Sequence, residues 1–190
     1  TIAARAEEDA DNIALQDVDG REVTYGQFHT TILTWADALR RLGVEAGDTV
    51  LTMFPNAFES SYAWLGVAWL RALEVPLNTA YADKMLGYLI EDSRAKVFVC
   101  SERYLGQIAT VAPAILDQLD AIVVPDLSGE APDLGPTIVG SEEFFSGVNP
   151  ATDLEGPAHY DIACIIYTSG TTGPSKGVLV PWAALHQFPA

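Results

Sequence analysis

Residues 168–177 read Thr168, Ser169, Gly170, Thr171, Thr172, Gly173, Pro174, Ser175, Lys176 and Gly177, placing five hydroxyls, three glycines and one lysine in ten positions. A polyphosphate site needs such a set. Glycine lets backbone amides turn toward an anion, hydroxyls donate to phosphate oxygens, and the lysine supplies charge. Lys176 stands out because no Lys or Arg occurs between Arg103 and Lys176, whereas ten Asp and Glu do. The competing interpretation is a surface turn of small polar residues with one stray lysine.

Three motifs can be tested on the same residues. A Walker A loop requires Gly before its Lys and Ser or Thr after it; Ser175 precedes Lys176 and Gly177 follows, so it fails. A dinucleotide-binding GxG is absent, because no two of the 15 glycines lie two apart. Gly173-Pro174-Ser175-Lys176-Gly177 does satisfy the G-x-S-x-G nucleophile elbow, but that motif must join a strand to a helix. No Asp or Glu follows Ser175, so the Ser…acid…His order of a hydrolase cannot be completed here.

The elements around this stretch set its geometry. Residues 161–167 form a buried-looking strand and 178–180 are strand-like, so the loop is expected to join two strands. Upstream, a short helix is followed by a strand at 13–16 and a turn at Asp19-Gly20. Thr24 and Gln27 have capping-box spacing. Phe28, Ile32, Trp35, Leu39 and Leu42 then share one helical face, and Gly43 ends the helix. A strand at 49–54 precedes a helix at 58–73 that is apolar almost all round. A short strand at 75–77 is broken by Pro76, and Asp83 caps a helix running to about 93. Next come a strand at 96–100, a helix at 104–119 that Pro113 kinks or splits, and a strand at 121–124. Alternating strands and helices predict an α/β, doubly wound, mostly parallel sheet with helices on both faces. Residues 125–157, with five prolines, five glycines and little apolar periodicity, read as a long, partly mobile acidic connection reaching to about 160.

Composition narrows the partners. The chain has 190 residues, 49% of them hydrophobic, and a net charge of −16, which argues against nucleic acid or an anionic membrane surface. The longest apolar run, 62–70, is too short to span a bilayer, and no signal peptide is expected within residues 1–190. Cys100 and Cys164 lie in apolar strands and read as buried free thiols, so a cytoplasmic location is expected. His29, His159 and His186 have no metal-ligand spacing, and no metal site is expected of them. Thr1 is not a start residue, and the chain stops in the first turns of an amphipathic helix at 182–190, so both ends read as cut.

The segment Tyr167-Thr168-Ser169-Gly170-Thr171-Thr172-Gly173-Pro174-Ser175-Lys176-Gly177-Val178 resembles the signature loop of adenylate-forming enzymes, the AMP-binding superfamily. These include acyl-CoA synthetases, luciferases and peptide-synthetase adenylation domains. One departure is that Pro174 stands one place earlier than usual and Ser175 separates it from Lys176. Further blocks resemble the family in order and spacing: Val23-Thr24-Tyr25-Gly26-Gln27-Phe28, Leu42-Gly43-Val44 with Gly47-Asp48-Thr49-Val50, and Phe54-Pro55-Asn56. Arg71-Ala72 with Val75-Pro76-Leu77-Asn78 continues the series, with Leu73-Glu74 where Gly-Ala is usual. Ile90-Glu91-Asp92-Ser93-Arg94-Ala95-Lys96-Val97 completes it.

The resemblance implies that residues 1–190 are the incomplete N-terminal part of the large domain of an acid–thiol ligase, most like an acyl-CoA synthetase of fatty-acid metabolism. A carboxylate would attack the α-phosphate of ATP with Mg2+, and coenzyme A would then displace AMP. Thr168, Ser169, Gly170, Thr171, Thr172, Gly173 and Lys176 would hold the β- and γ-phosphates, with no covalent role. Adenine, ribose and acyl sites and the catalytic lysine would follow Ala190, so no catalytic residue is assigned here and the piece alone is expected to be inactive. A cut domain would expose sheet or helix surface and is expected to form a homo-oligomer. Two alternatives are a non-catalytic nucleotide- or partner-binding half-domain and a peptide-synthetase-type adenylation domain.

Overall fold

The computed structural model describes residues 1–168 and 175–186. Helix α1 (Ile2–Glu8) leads into a small antiparallel hairpin of β1 (Ile13–Gln16) and β2 (Glu22–Thr24). The Asp17 carboxylate closes its turn by accepting from the Asp19 and Arg21 amides, and Gly20 adopts φ 83°. Helix α2 (Tyr25–Arg41) starts at the expected capping box, with Thr24 and Gln27 bonded reciprocally, and Gly43 follows it at φ 84°.

The main sheet contains β3 (Thr49–Met53), β4 (Leu73–Pro76), β5 (Val97–Cys100), β6 (Ala121–Val124), β7 (Thr137–Gly140), β8 (Ile162–Thr168) and β9 (Lys176–Pro181). Their spatial order is β7-β6-β5-β3-β4-β8-β9, parallel throughout except for the antiparallel β8–β9 pair. One face is covered by α2, α3 (Phe58–Trp69) and the short α7 (Ser141–Phe144). The other is covered by α4 (Asp83–Ser93), α5 (Leu105–Ile108) and α6 (Pro113–Leu116). Alternation along β3 makes the two cores: Val50 enters the first, while Leu51 and Met53 enter the second. Gly66 lets α3 approach α2 closely, since a Cβ there would stand 2.8 Å from Trp35 Cβ.

Five local expectations are corrected. Helix α3 ends at Trp69, not near 73, because Arg71 takes the left-handed conformation (φ 57°) that a helix stop requires. Pro76 closes β4 and does not break it. Leu73 and Leu77 donate their amides to the carbonyls of Asp48, just before β3, and Thr52 within it, so by alternation the Pro76 nitrogen faces away from β3 and no ladder bond is lost there. Asp83 is the first residue of α4 and makes no side-chain cap; its own amide donates to Thr110 Oγ1 at 2.8 Å. The segment 104–119 is split at Pro113 as expected, but its helical extent is smaller: a 3₁₀ turn (Glu102–Tyr104) precedes two helices of four residues each, with Pro113 opening α6. The acidic connection contains β7 and α7, where an irregular stretch was expected, and α7 buries Phe144 in the first core.

Among the described residues no helix is long and apolar enough to cross a membrane. Cys100 and Cys164 are buried and free.

Candidate functional site

Strands β8 and β9 form the hairpin expected from the sequence, and their last rung pairs Thr168 with Lys176. Both residues are exposed at this rung, so a hydroxyl and a cation flank the intervening segment. Ser169, Gly170, Thr171, Thr172 and Gly173 lie outside the described residues, as does Pro174. The rejection of a nucleophile elbow holds, because Ser175 is buried and leads straight into β9 instead of a helix. Gly177 has a packing reason of its own: a Cβ there would meet Ile165 Cγ2 at 2.8 Å.

The hairpin is held from both faces of the sheet. On the α3 side, Trp64 Nε1 donates to the Ala163 carbonyl at 3.0 Å, and its ring stacks on Trp182 of α8 (Trp182–His186), centroids 5.2 Å apart. At the foot of β8, Arg71 donates Nε and Nη2 to the two carboxylate oxygens of Asp161 at 2.9 and 3.1 Å. That ion pair holds the Asp161 carboxyl below its usual range. On the α4 side, Tyr88 Oη donates to the Ser175 carbonyl at 2.7 Å, and Tyr167 Oη donates to Asp92 Oδ2 at 2.5 Å. Burial first, and the Asp92 charge second, push the Tyr88 hydroxyl up. For Tyr167, burial and then the hydrogen bond to Asp92 push the hydroxyl well up, so both phenols stay protonated.

Behind the hairpin, Glu74 on β4 is paired in register with Cys164 on β8 and accepts from Thr52 Oγ1 at 2.7 Å. Glu74 is 6% exposed, and burial pushes its carboxyl up to about 7 against the pull of the Thr52 hydroxyl. Burial, with the Glu74 charge adding, pushes the Cys164 thiol up to about 11. A protonated, buried thiol is not a nucleophile, so covalent chemistry at Cys164 is disfavoured.

Sequence reasoning anticipated the β8–β9 strand pair and missed its supports. Tyr88 and Asp92 lie 87 and 75 residues from their partners, and no local spacing signals such contacts. It also missed a crevice of about 510 Å³ at the carboxyl ends of β3, β5 and β6, lined by Phe54, Ser101, Glu102 and Asp126 among others. The sheet order reverses between β3 and β5, and crevices at such reversals are common ligand sites. Ser101 Oγ and the Glu102 amide already occupy the Asp126 carboxylate, at 2.6 and 2.8 Å. Among the described residues no group of three or more His, Cys, Asp or Glu side chains is placed to hold a metal ion.

Residues 2–188 match the family described as AMP-binding enzyme. The chain is 33% identical over 164 residues to a 3-oxocholest-4-en-26-oate–CoA ligase of Rhodococcus rhodochrous, covering 85% of this chain and 29% of that relative's length. It is 30% identical over 186 residues to vanchrobactin synthetase VabF of Vibrio anguillarum, covering 93% of this chain and 6% of that protein. Among solved structures, the anthranilate CoA ligase AuaEII in complex with anthranoyl-AMP superposes with a TM-score of 0.82 at 26% identity, covering 95% of this chain and 34% of that one.

Proposed function

The chain belongs to the AMP-binding enzyme family, and from that premise we propose that the protein carrying it is an ATP-dependent acid–thiol ligase of the acyl-CoA synthetase type. A carboxylate oxygen of the substrate acid attacks the α-phosphorus of ATP, and the bond from that phosphorus to the bridging oxygen breaks to release pyrophosphate. The thiol sulfur of coenzyme A then attacks the acyl carbon, the carbon–oxygen bond to AMP breaks, and the thiol proton leaves to solvent. The observation that carries this reading is the Thr168–Lys176 rung, with a hydroxyl and a cation exposed together at the hairpin end.

In this proposal Thr168, Ser169, Gly170, Thr171, Thr172, Gly173 and Lys176 hold the β- and γ-phosphates. Their work is charge stabilisation and positioning. In this reading Mg2+ arrives with the triphosphate. Mg2+ bound there would screen phosphate charge. A cytoplasmic setting suits the two buried free thiols. The match to vanchrobactin synthetase supports a second reading, in which the same loop serves a synthetase with a different acceptor.

The test is to incubate the full-length protein with ATP, Mg2+, a panel of carboxylic acids and coenzyme A. Equal yields of AMP and acyl-CoA thioester are expected; ADP as the nucleotide product would exclude the proposal. Residues 1–190 alone should form no thioester with any acid in the panel, and a thioester from that piece would overturn the assignment of the remaining sites to other residues. The exposed Ile166, Val178 and Leu179 on the terminal hairpin support a homo-oligomer. Sedimentation of the 190-residue chain at high concentration should show dimers or larger species; a monomer throughout would refute this.

A further inference from the structure

We propose that Tyr88 and Asp92 of α4 are positioning residues that hold both stems of the phosphate loop and set the separation of Thr168 and Lys176. The identity of the ligand rests on the adenylation reading above; the clamp rests on geometry. Tyr88 and Asp92 are one helical turn apart and therefore share a face of α4. Tyr88 Oη reaches the carbonyl of Ser175, the residue before Lys176, at 2.7 Å. Asp92 receives the hydroxyl of Tyr167, the residue before Thr168, at 2.5 Å.

The hairpin needs such a tie. Strand β8 pairs with β4 only at Glu74↔Cys164, four residues short of Thr168, so the end of β8 continues past its parallel neighbour. Beyond that rung, among the described residues, β8 is paired with β9 alone, and two-stranded ribbons twist more than strands inside a sheet. The two bonds to α4 fix the overhanging end to the second core. Because both go to one rigid helix, they reference the two stems to a common frame and not merely to each other. Neither residue is assigned a contact with phosphate. The Tyr167 phenol occupies one oxygen of the Asp92 carboxylate.

The experiment compares Tyr88→Phe, Asp92→Ala and Asp92→Asn in the full-length protein, by amide hydrogen exchange and by acid-dependent exchange of labelled pyrophosphate into ATP. Tyr88→Phe keeps the ring, and Asp92→Asn keeps an oxygen that accepts from Tyr167. We expect Tyr88→Phe and Asp92→Ala each to raise amide exchange in the peptide 166–178, leaving α2 unchanged, and to raise the KM for ATP about three- to tenfold with the KM for the acid within about twofold. Asp92→Asn should restore wild-type behaviour in both assays. Unchanged amide exchange in 166–178 for both variants would overturn the clamp. So would increased exchange with the two KM values moving together, which is the signature of a merely structural contact. If the wild-type protein shows no acid-dependent exchange, the adenylation reading fails, and amide exchange alone then decides the clamp.

Discussion

Lys176→Ala is expected to slow acid-dependent exchange of labelled pyrophosphate into ATP about ten- to a hundredfold, with little effect from Ser175→Ala. The physical basis is a charge-assisted contact worth about 1.5–3 kcal/mol when a lysine grips a phosphate oxygen. Lys176 is the first cation after Arg103, so no neighbour in sequence replaces its charge. Ser175 is 8% exposed and contributes its carbonyl to Tyr88, leaving its hydroxyl unneeded for phosphate. A nucleophile elbow would reverse the pattern, with Ser175→Ala inactive and Lys176→Ala mild. Running ester hydrolysis beside the exchange assay separates the two outcomes.

The second large effect concerns stability and pH. Glu74 has an ordinary carboxyl value of 4.5, raised to about 7 in the fold by burial. Between those two values the folded chain holds a proton that the unfolded chain has released, so unfolding releases protons and stability falls as pH rises. Stability is greatest, with respect to this group, below pH 4.5, and the loss is complete above about 7. Integrated across that window, the loss is about 3 kcal/mol. Glu74→Gln has no charge to desolvate and keeps an oxygen for Thr52. In urea denaturation of the 190-residue chain, the stability difference between Glu74→Gln and the wild type should move by about 3 kcal/mol in favour of the variant across the window. Parallel pH profiles for the two proteins would show that Glu74 ionises normally in the fold.

The features readable in the sequence were those written in local spacing. Thr24 and Gln27 announced the capping box because both partners lie within one turn. The loop was readable as a hairpin because β-branched and apolar residues flank a run of Gly, Ser and Thr. The features that escaped depend on distant partners or on unusual residues in familiar roles. Arg71 ends α3 in a conformation normally signalled by glycine, and its bidentate bond to Asp161 spans 90 residues. Strand β7 was hidden because only Val139 among its four residues is buried, leaving no alternation to detect, and its partner β6 supplies the pairing. The α4 clamp was invisible for the same reason: Tyr88 and Asp92 look like ordinary helix residues until β8 and β9 are laid beside them.

One measurement tests the central claim, that the hairpin loop serves attack of a carboxylate on the α-phosphate of ATP. The full-length protein is supplied with a substrate acid labelled with heavy oxygen in its carboxylate, together with unlabelled ATP and coenzyme A. Attack through a carboxylate oxygen, followed by cleavage of the acyl carbon–oxygen bond, leaves one acid oxygen on the nucleotide. The account predicts AMP carrying a single labelled oxygen and pyrophosphate carrying none. Label in inorganic phosphate with ADP as co-product, or AMP free of label, would contradict it.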